Sequence, residues 1–233
     1  MKKGDLRKQE ILQTAEDMFC SRGYEQTSVQ DIIDSLNSSK GSFYHHFASK
    51  EAVLEGICSN RAKEIYRYAD AESSNNDSVV SRLNILLSGM IPFKEEKLRF
   101  LLMLLPVFSL PEGRTVRQSY CEALASQFHD PVCALIREGL ERGLLFCSDP
   151  ENSAEIVLSV INLLWVRISD LLIHSENRHE DPDFPECQRL TECCREAIER
   201  ILSLPYGTIT LIDIPALKIT TDSIHNHWPQ SFK

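Results

Sequence analysis

The run Lys40-Gly41-Ser42-Phe43-Tyr44-His45-His46-Phe47 combines hydrogen-bond donors with little bulk and no negative charge. Wound as a helix at about 100° per residue, it puts Phe43 and Phe47 on one side. Gly41, Ser42, Tyr44 and His45 fall on the opposite arc. Lys40 stands at the start and Lys50 just past the end. A helix facing only water carries Glu, Lys or Gln on such an arc. This one presents a surface that lets a partner come close and donates hydrogen bonds to it. That is the chemistry of a helix in a DNA major groove, which needs donors for phosphates and a few side chains for base edges.

Two further helices must hold that surface. Thr27-x-x-Gln30 has the form of a capping box, and Val29, Ile32, Ile33 and Leu36 follow at helical spacing. Asn37 tolerates the left-handed backbone that a tight turn needs, and Ser38 or Ser39 caps the helix that follows. Upstream, residues 5–22 form a helix with Ile11, Leu12, Ala15, Met18 and Phe19 as its buried stripe, ended by Arg22-Gly23. Phe19, Ile32, Phe43 and Phe47 are the expected core of this three-helix head. Lys2, Lys3, Arg7 and Lys8 are either phosphate contacts or a solvated terminus.

Residues 6–54, above all TSVQDII followed by SKGSFYHHFASKEAVL, resemble the DNA-binding region of the tetracycline-repressor (TetR) family. The chain departs from the family's usual Ala-Gly-Val in the turn, where it has Leu36-Asn37-Ser38. The resemblance implies phosphate contacts by Thr27, Tyr44 and Lys50, with Ser39, Lys40, Gly41, Ser42 and His45 at or near base edges. It further implies a homodimer, a palindromic double-stranded DNA operator and a small-molecule effector. A fourth helix, capped by Ser49 and running to about Ala71, would act as the lever between effector and head.

Charge is unevenly placed. The net charge is −9, yet residues 1–50 hold seven basic and seven acidic residues, so the whole excess lies in residues 51–233. Such a body repels DNA, and affinity must come from a few local contacts and two heads about 34–36 Å apart or a multiple of that. Beyond a polar break at residues 73–77 the pattern is all-helical: 79–90, 95–109, 114–143 with a bend at Asp130-Pro131, 151–174 and 186–204, joined across 175–185 by a charged loop. The fold class is therefore all-α, with about nine helices: a head at 1–49, a ligand-binding and dimerisation body at 50–204, and a tail at 205–233. That tail, rich in β-branched residues, reads as an extended arm docked on the body.

Helix 151–174 is apolar nearly all round, which requires burial on more than one side. Ile161, Leu164, Ile168 and Leu172, with Ile198 and Ile201 of the last helix, are the expected dimer interface, two helices per subunit forming a four-helix junction. Phe93, Phe100, Met103, Phe108, Tyr120, Phe128 and Trp165, with Asn162 as a polar contact, are either ordinary core or the lining of an effector pocket for a hydrophobic or amphipathic molecule.

Other chemistries find less support. There is no nucleotide loop, Gly-x-Ser-x-Gly or His-Glu-x-x-His, so no catalytic residue is assigned and the chain reads as a non-enzyme. The eight cysteines read as reduced thiols of a cytoplasmic protein, because Met1-Lys2-Lys3 leads into a charged amphipathic helix rather than a signal peptide. No metal or cofactor is expected: His174, His179, Cys187, Cys193, Cys194, His225 and His227 match no zinc spacing. No membrane span is expected either, since Asn162, Arg167 and Asp170 interrupt the longest apolar run. The reading is a ligand-released repressor. An activator, a thiol-responsive regulator of the same fold and a helical interaction module without an effector are the alternatives.

Overall fold

The computed structural model describes residues 3–93, 97–178 and 182–227. Every regular element among them is a helix: α1 (Lys3–Arg22), α2 (Val29–Ser35), α3 (Lys40–His46), α4 (Lys50–Ser73), α5 (Val79–Gly89), α6 (Leu98–Val107), α7 (Gly113–Glu141), α8 (Pro150–Arg178), α9 (Phe184–Ile201) and α10 (Ile214–His227).

Local sequence sets the head. Gly23 ends α1 at φ +93°, a conformation open to glycine. The capping box belongs to Ser28 and Asp31, one residue on from the expected Thr27-x-x-Gln30. The Asp31 backbone N–H donates to Ser28 Oγ at 3.1 Å, and Ser28 N donates to Asp31 Oδ2 at 2.7 Å. Asn37 takes φ +47° in the turn, as its side chain permits. Ser39 caps α3 by accepting from Ser42 N at 3.1 Å. Ile11, Phe19, Ile32, Phe43 and Phe47 are buried together, each worth about 1.5–3 kcal/mol of apolar burial.

The head sits on α4. A Cβ built on Gly56 would lie 2.8 Å from Leu12 Cδ2 and 3.2 Å from Phe47 Cε1. The bare backbone there is what lets α1 and the end of α3 reach the helix. Arg61 of α4 donates from Nε to Glu16 of α1 at 2.5 Å, and Asn60 donates to Gln9 at 2.9 Å. In the body, α4 packs on α5 and α7, α7 on α8, and α8 on α9. By length and composition α8 is able to cross a bilayer, but its Val157, Ile161, Leu164, Trp165, Ile168 and Leu172 are buried in the protein.

As expected, α7 is one long helix with Pro131 inside it. Two expectations change here. α8 continues past His174 to Arg178, shortening the loop read at 175–185, part of which lies outside the described residues together with His179. The tail holds a helix, α10, whose Leu217, Thr220, Thr221 and Ile224 are buried, packing on α6 and α9 rather than lying as an extended arm. Ile209 and Leu211 are buried ahead of it.

Gly56→Val is expected to lower stability by about 1–3 kcal/mol, the usual cost of overpacking, read as a lower urea midpoint with earlier proteolysis of the head. An unchanged midpoint would mean that Leu12 and Phe47 do not bear on α4. The Ser28 hydroxyl and then the Ser28 N–H hold the Asp31 carboxyl below its ordinary 3.8. Asp31 therefore contributes stability that is present above 3.8 and lost as pH falls through the depressed value. The melting gap between wild type and Asp31→Asn should be open at about pH 6 and close by about pH 2; a gap that persists in acid would mean the carboxylate charge is not its source.

Candidate nucleic-acid interface

α3 carries its phenyl rings inward and its polar groups outward because Phe43 and Phe47 are the residues the head can bury. Both are buried, with ring centroids 6.3 Å apart. On the other arc Tyr44 is 54% exposed, its ring edge-on to Phe43 at 5.4 Å. Ser39, Lys40, Gly41 and His45 are exposed and Ser42 half-buried. His45 and His46 stand edge to face at 5.1 Å. Six of the expected residues thus share one surface with no carboxylate on α3 itself.

Gly41 is informative. Its backbone is ordinary helix, and an added Cβ would meet only Ser39 Oγ, at 4.0 Å. Nothing in the fold requires glycine there, and glycine weakens a helix by about 1 kcal/mol relative to alanine.

Two expected residues lie elsewhere. Thr27 is fully buried, and its hydroxyl donates to the Gly23 carbonyl at 2.8 Å. It braces the α1–α2 turn and does not reach the outward face; Ser28 is the exposed hydroxyl at this end. Lys50 is half-buried. Its ammonium donates to the Tyr24 carbonyl at 3.0 Å and lies 4.1 Å from that ring's centroid. Tyr24, in turn, donates to Glu51 at 3.3 Å. Sequence reasoning missed Tyr24 because it stands 26 residues before Lys50. Arg7 is engaged as well, donating to Glu10 at 2.7 Å and to the Leu36 carbonyl at 3.4 Å, so it ties α1 to the turn. Lys8 lies 5.6 Å from the Phe47 ring centroid. Lys2 lies outside the described residues.

The body expectations fare differently. Ile161, Leu164, Ile168, Leu172 and Ile198 are fully buried inside the subunit. A second copy cannot touch side chains already closed off, so these residues are subunit core; Ile201 is half-buried. The apolar side chains that α8 leaves open are Ile156, 51% exposed, and Leu163, 57% exposed. Phe93, Phe100, Met103, Tyr120, Phe128 and Trp165 are buried too. Tyr120 packs edge-on against Phe100 and against Trp165, each at 5.7 Å, and Phe128 against Tyr66 at 5.4 Å. Asn162 accepts from Trp165 Nε1 at 2.9 Å and donates to the Cys121 carbonyl at 3.2 Å, so its amide serves the core. The Tyr120 hydroxyl is the one buried side-chain polar atom among the described residues with no hydrogen-bond partner.

The sequence profile described as bacterial regulatory proteins, tetR family, matches residues 11–57, which hold the second half of α1, all of α2 and α3 and the start of α4. Over 51 residues the chain is 49% identical to the HTH-type transcriptional repressor KstR2 of Mycolicibacterium smegmatis, covering 22% of this chain and 25% of that protein. The chain spans between a quarter and a half of the length of three curated relatives. Among solved structures, a TetR-family transcriptional regulator from Pectobacterium atrosepticum superposes with a TM-score of 0.59 at 17% identity, over 88% of this chain and all of that one. RolR in complex with resorcinol gives 0.57 at 12% identity, over 94% of each chain. These two likenesses concern the fold. The head's sequence match and the whole-chain fold agree: residues 11–57 match the tetR family of bacterial regulatory proteins, and the chain as a whole has the fold of solved TetR-family regulators.

Proposed function

We propose that this chain is a DNA-binding transcriptional regulator, a cytoplasmic homodimeric repressor released from a palindromic operator by a small hydrophobic or amphipathic molecule. The observation that carries the DNA reading is the outward arc of α3, where Gly41 has no structural reason to be glycine and Tyr44 lies open beside it. A groove that must come close to the backbone supplies the reason. With Thr27 buried and Lys50 holding the Tyr24 turn, the phosphate role passes from them to Ser39 and Lys40 at the exposed start of α3, beside Tyr44, while Ser42 and His45 face base edges. The reading assigns no reaction to the chain. It is supported by the repressor name of KstR2, which aligns over 51 residues.

The dimer reading moves to the open side of α8, where Ile156, Val160 and Leu163 follow at helical spacing and line a shallow groove of about 300 Å³ with Glu155 and Ser159. Twofold contact across α8 would set two heads on two half-sites. RolR is solved with resorcinol, which supports a small-molecule effector in a body of this shape. A thiol-responsive mechanism is the weaker reading. Burial pushes Cys20, Cys187 and Cys194 up to about 11 and Cys121 up to about 12, away from the reactive thiolate.

Fluorescence anisotropy with the DNA upstream of the protein's own gene tests the interface. Tyr44→Ala is expected to weaken binding about tenfold, or about 1.4 kcal/mol, with the melting temperature unchanged. Lys40→Gln should flatten the dependence of log K on log salt by about 0.9 per head. If both variants bound with wild-type affinity and slope, α3 would not be the DNA-reading helix. Sedimentation of Leu163→Arg tests the dimer: a shift from dimer to monomer is expected, and a dimer that survives would move the interface off α8.

A further inference from the structure

The residues expected to line an effector pocket pack ring against ring, and a sizeable cavity lies elsewhere. It is a cleft of about 590 Å³ between the head and α6, within the range of about 300–1,000 Å³ that small-molecule sites occupy. One wall is the end of α1 and the turn after it, from Phe19 to Gln26; the other is the face of α6 and the residues beyond it. The two walls belong to the two parts of the chain whose relative position matters for reading DNA.

The floor is apolar. Leu102, Met103, Pro106 and Leu110 face Phe19 across it. The lip is charged, with guanidiniums of Arg22 and Arg99 and the carboxylate of Glu25. Arg99 is held to one side by Asp17 at 3.2 Å. Arg22 makes no ion pair among the described residues. An apolar floor with an unpaired guanidinium at its edge is complementary to a molecule with an alkyl or aryl body and one anionic end.

We infer that this cleft is an effector site for an amphipathic organic anion, its apolar part laid on α6 and its charge at Arg22 and Arg99. The inference deepens the ligand-released reading, on which its consequence for DNA rests. Occupancy would act directly on the head. Tyr24 forms part of the wall, and its carbonyl and ring hold Lys50 just past the end of α3. A molecule pressing on Tyr24 therefore presses on the support of the outward arc, without a relay through the body.

Calorimetry on the full chain without DNA separates this from the DNA reading. Decanoate is expected to bind at one site per chain, at least tenfold more tightly than decanol or decyltrimethylammonium. Leu102→Trp, which fills the cleft from a half-buried position, should weaken decanoate at least tenfold, and Tyr120→Phe should leave it unchanged. Arg22→Glu, at an exposed site and checked for an unchanged melting temperature, should reverse the preference towards the cation. Decanoate that does not bind, that binds no better than decanol, or that responds to Tyr120→Phe but not to Leu102→Trp or Arg22→Glu, would overturn the inference. Anisotropy then adds the consequence: decanoate should release wild-type protein from DNA but not Arg22→Glu. If calorimetry succeeds and no DNA is bound, the functional reading fails while the site stands; if DNA is bound and decanoate is not, the site fails alone.

Discussion

The head is seated where α4 has no side chain. At Gly56 the helix backbone is close enough to Leu12 and Phe47 that a methyl group would overlap Leu12 Cδ2 at 2.8 Å. A head of three short helices buries too little surface to be well anchored alone, and it borrows core from α4 through Val53, Leu54, Ile57 and Cys58, all fully buried. The polar links of Arg61 to Glu16 and Asn60 to Gln9 lie along the same contact. Burial pushes the Glu16 carboxyl above its ordinary range even with the Arg61 guanidinium beside it. That junction resists sliding because both its packing and its charge pair are specific to one register. Any movement of α4 would therefore carry the head, and α3 with it, as one piece.

The charge distribution fits such an arrangement. The −9 of the body is kept off the outward arc of α3. An acidic body weakens nonspecific association with DNA, which depends on phosphate neutralisation. On the proposed reading what remains is a small number of contacts per head, so a modest change in head position would cost a large share of the binding free energy. Regulation by displacement requires this weakness: a strongly basic head would stay bound in any orientation.

Much of the head was legible in the sequence because its determinants are local. Asn37 at φ +47°, the Ser39 cap and the inward Phe43 and Phe47 follow from turn chemistry and helical spacing. The slip from Ser28 to Thr27 at the start of α2 is instructive. Both residues head a three-residue step to a polar acceptor, and the choice is made by the full burial of Thr27, a tertiary effect, with its hydroxyl already given to the Gly23 carbonyl. Helix 151–174 posed the same problem on a larger scale. Its pattern demanded cover on more than one side but not by what, and Ile161, Leu164, Ile168 and Leu172 proved to be covered by the subunit itself. The β-branched run at 208–214, leading into α10, favoured an extended reading of the whole tail. Leu217, Thr220, Thr221 and Ile224 lie at helical spacing, and the neighbouring helices decided the outcome.

α10 also changes how the molecule is tied together. It packs on α6, which packs on α1 of the head and on α8 of the body. Its far end is held by His225, whose Nδ1 lies 3.2 Å from the Glu176 carboxylate of α8. α6 is ten residues long, and Pro106 lacks the N–H that would bond to the Leu102 carbonyl. A short helix with a missing rung is a poor strut by itself. Pressed between α8 and α10 on one side and the head on the other, it keeps a fixed position without being intrinsically stiff. The head is then held by two supports of different character: α4, locked by close packing at Gly56, and α6, held by its neighbours and separated from the α1–α2 turn by open volume. Of the two, the second borders open volume, which a molecule could enter and so alter the spacing.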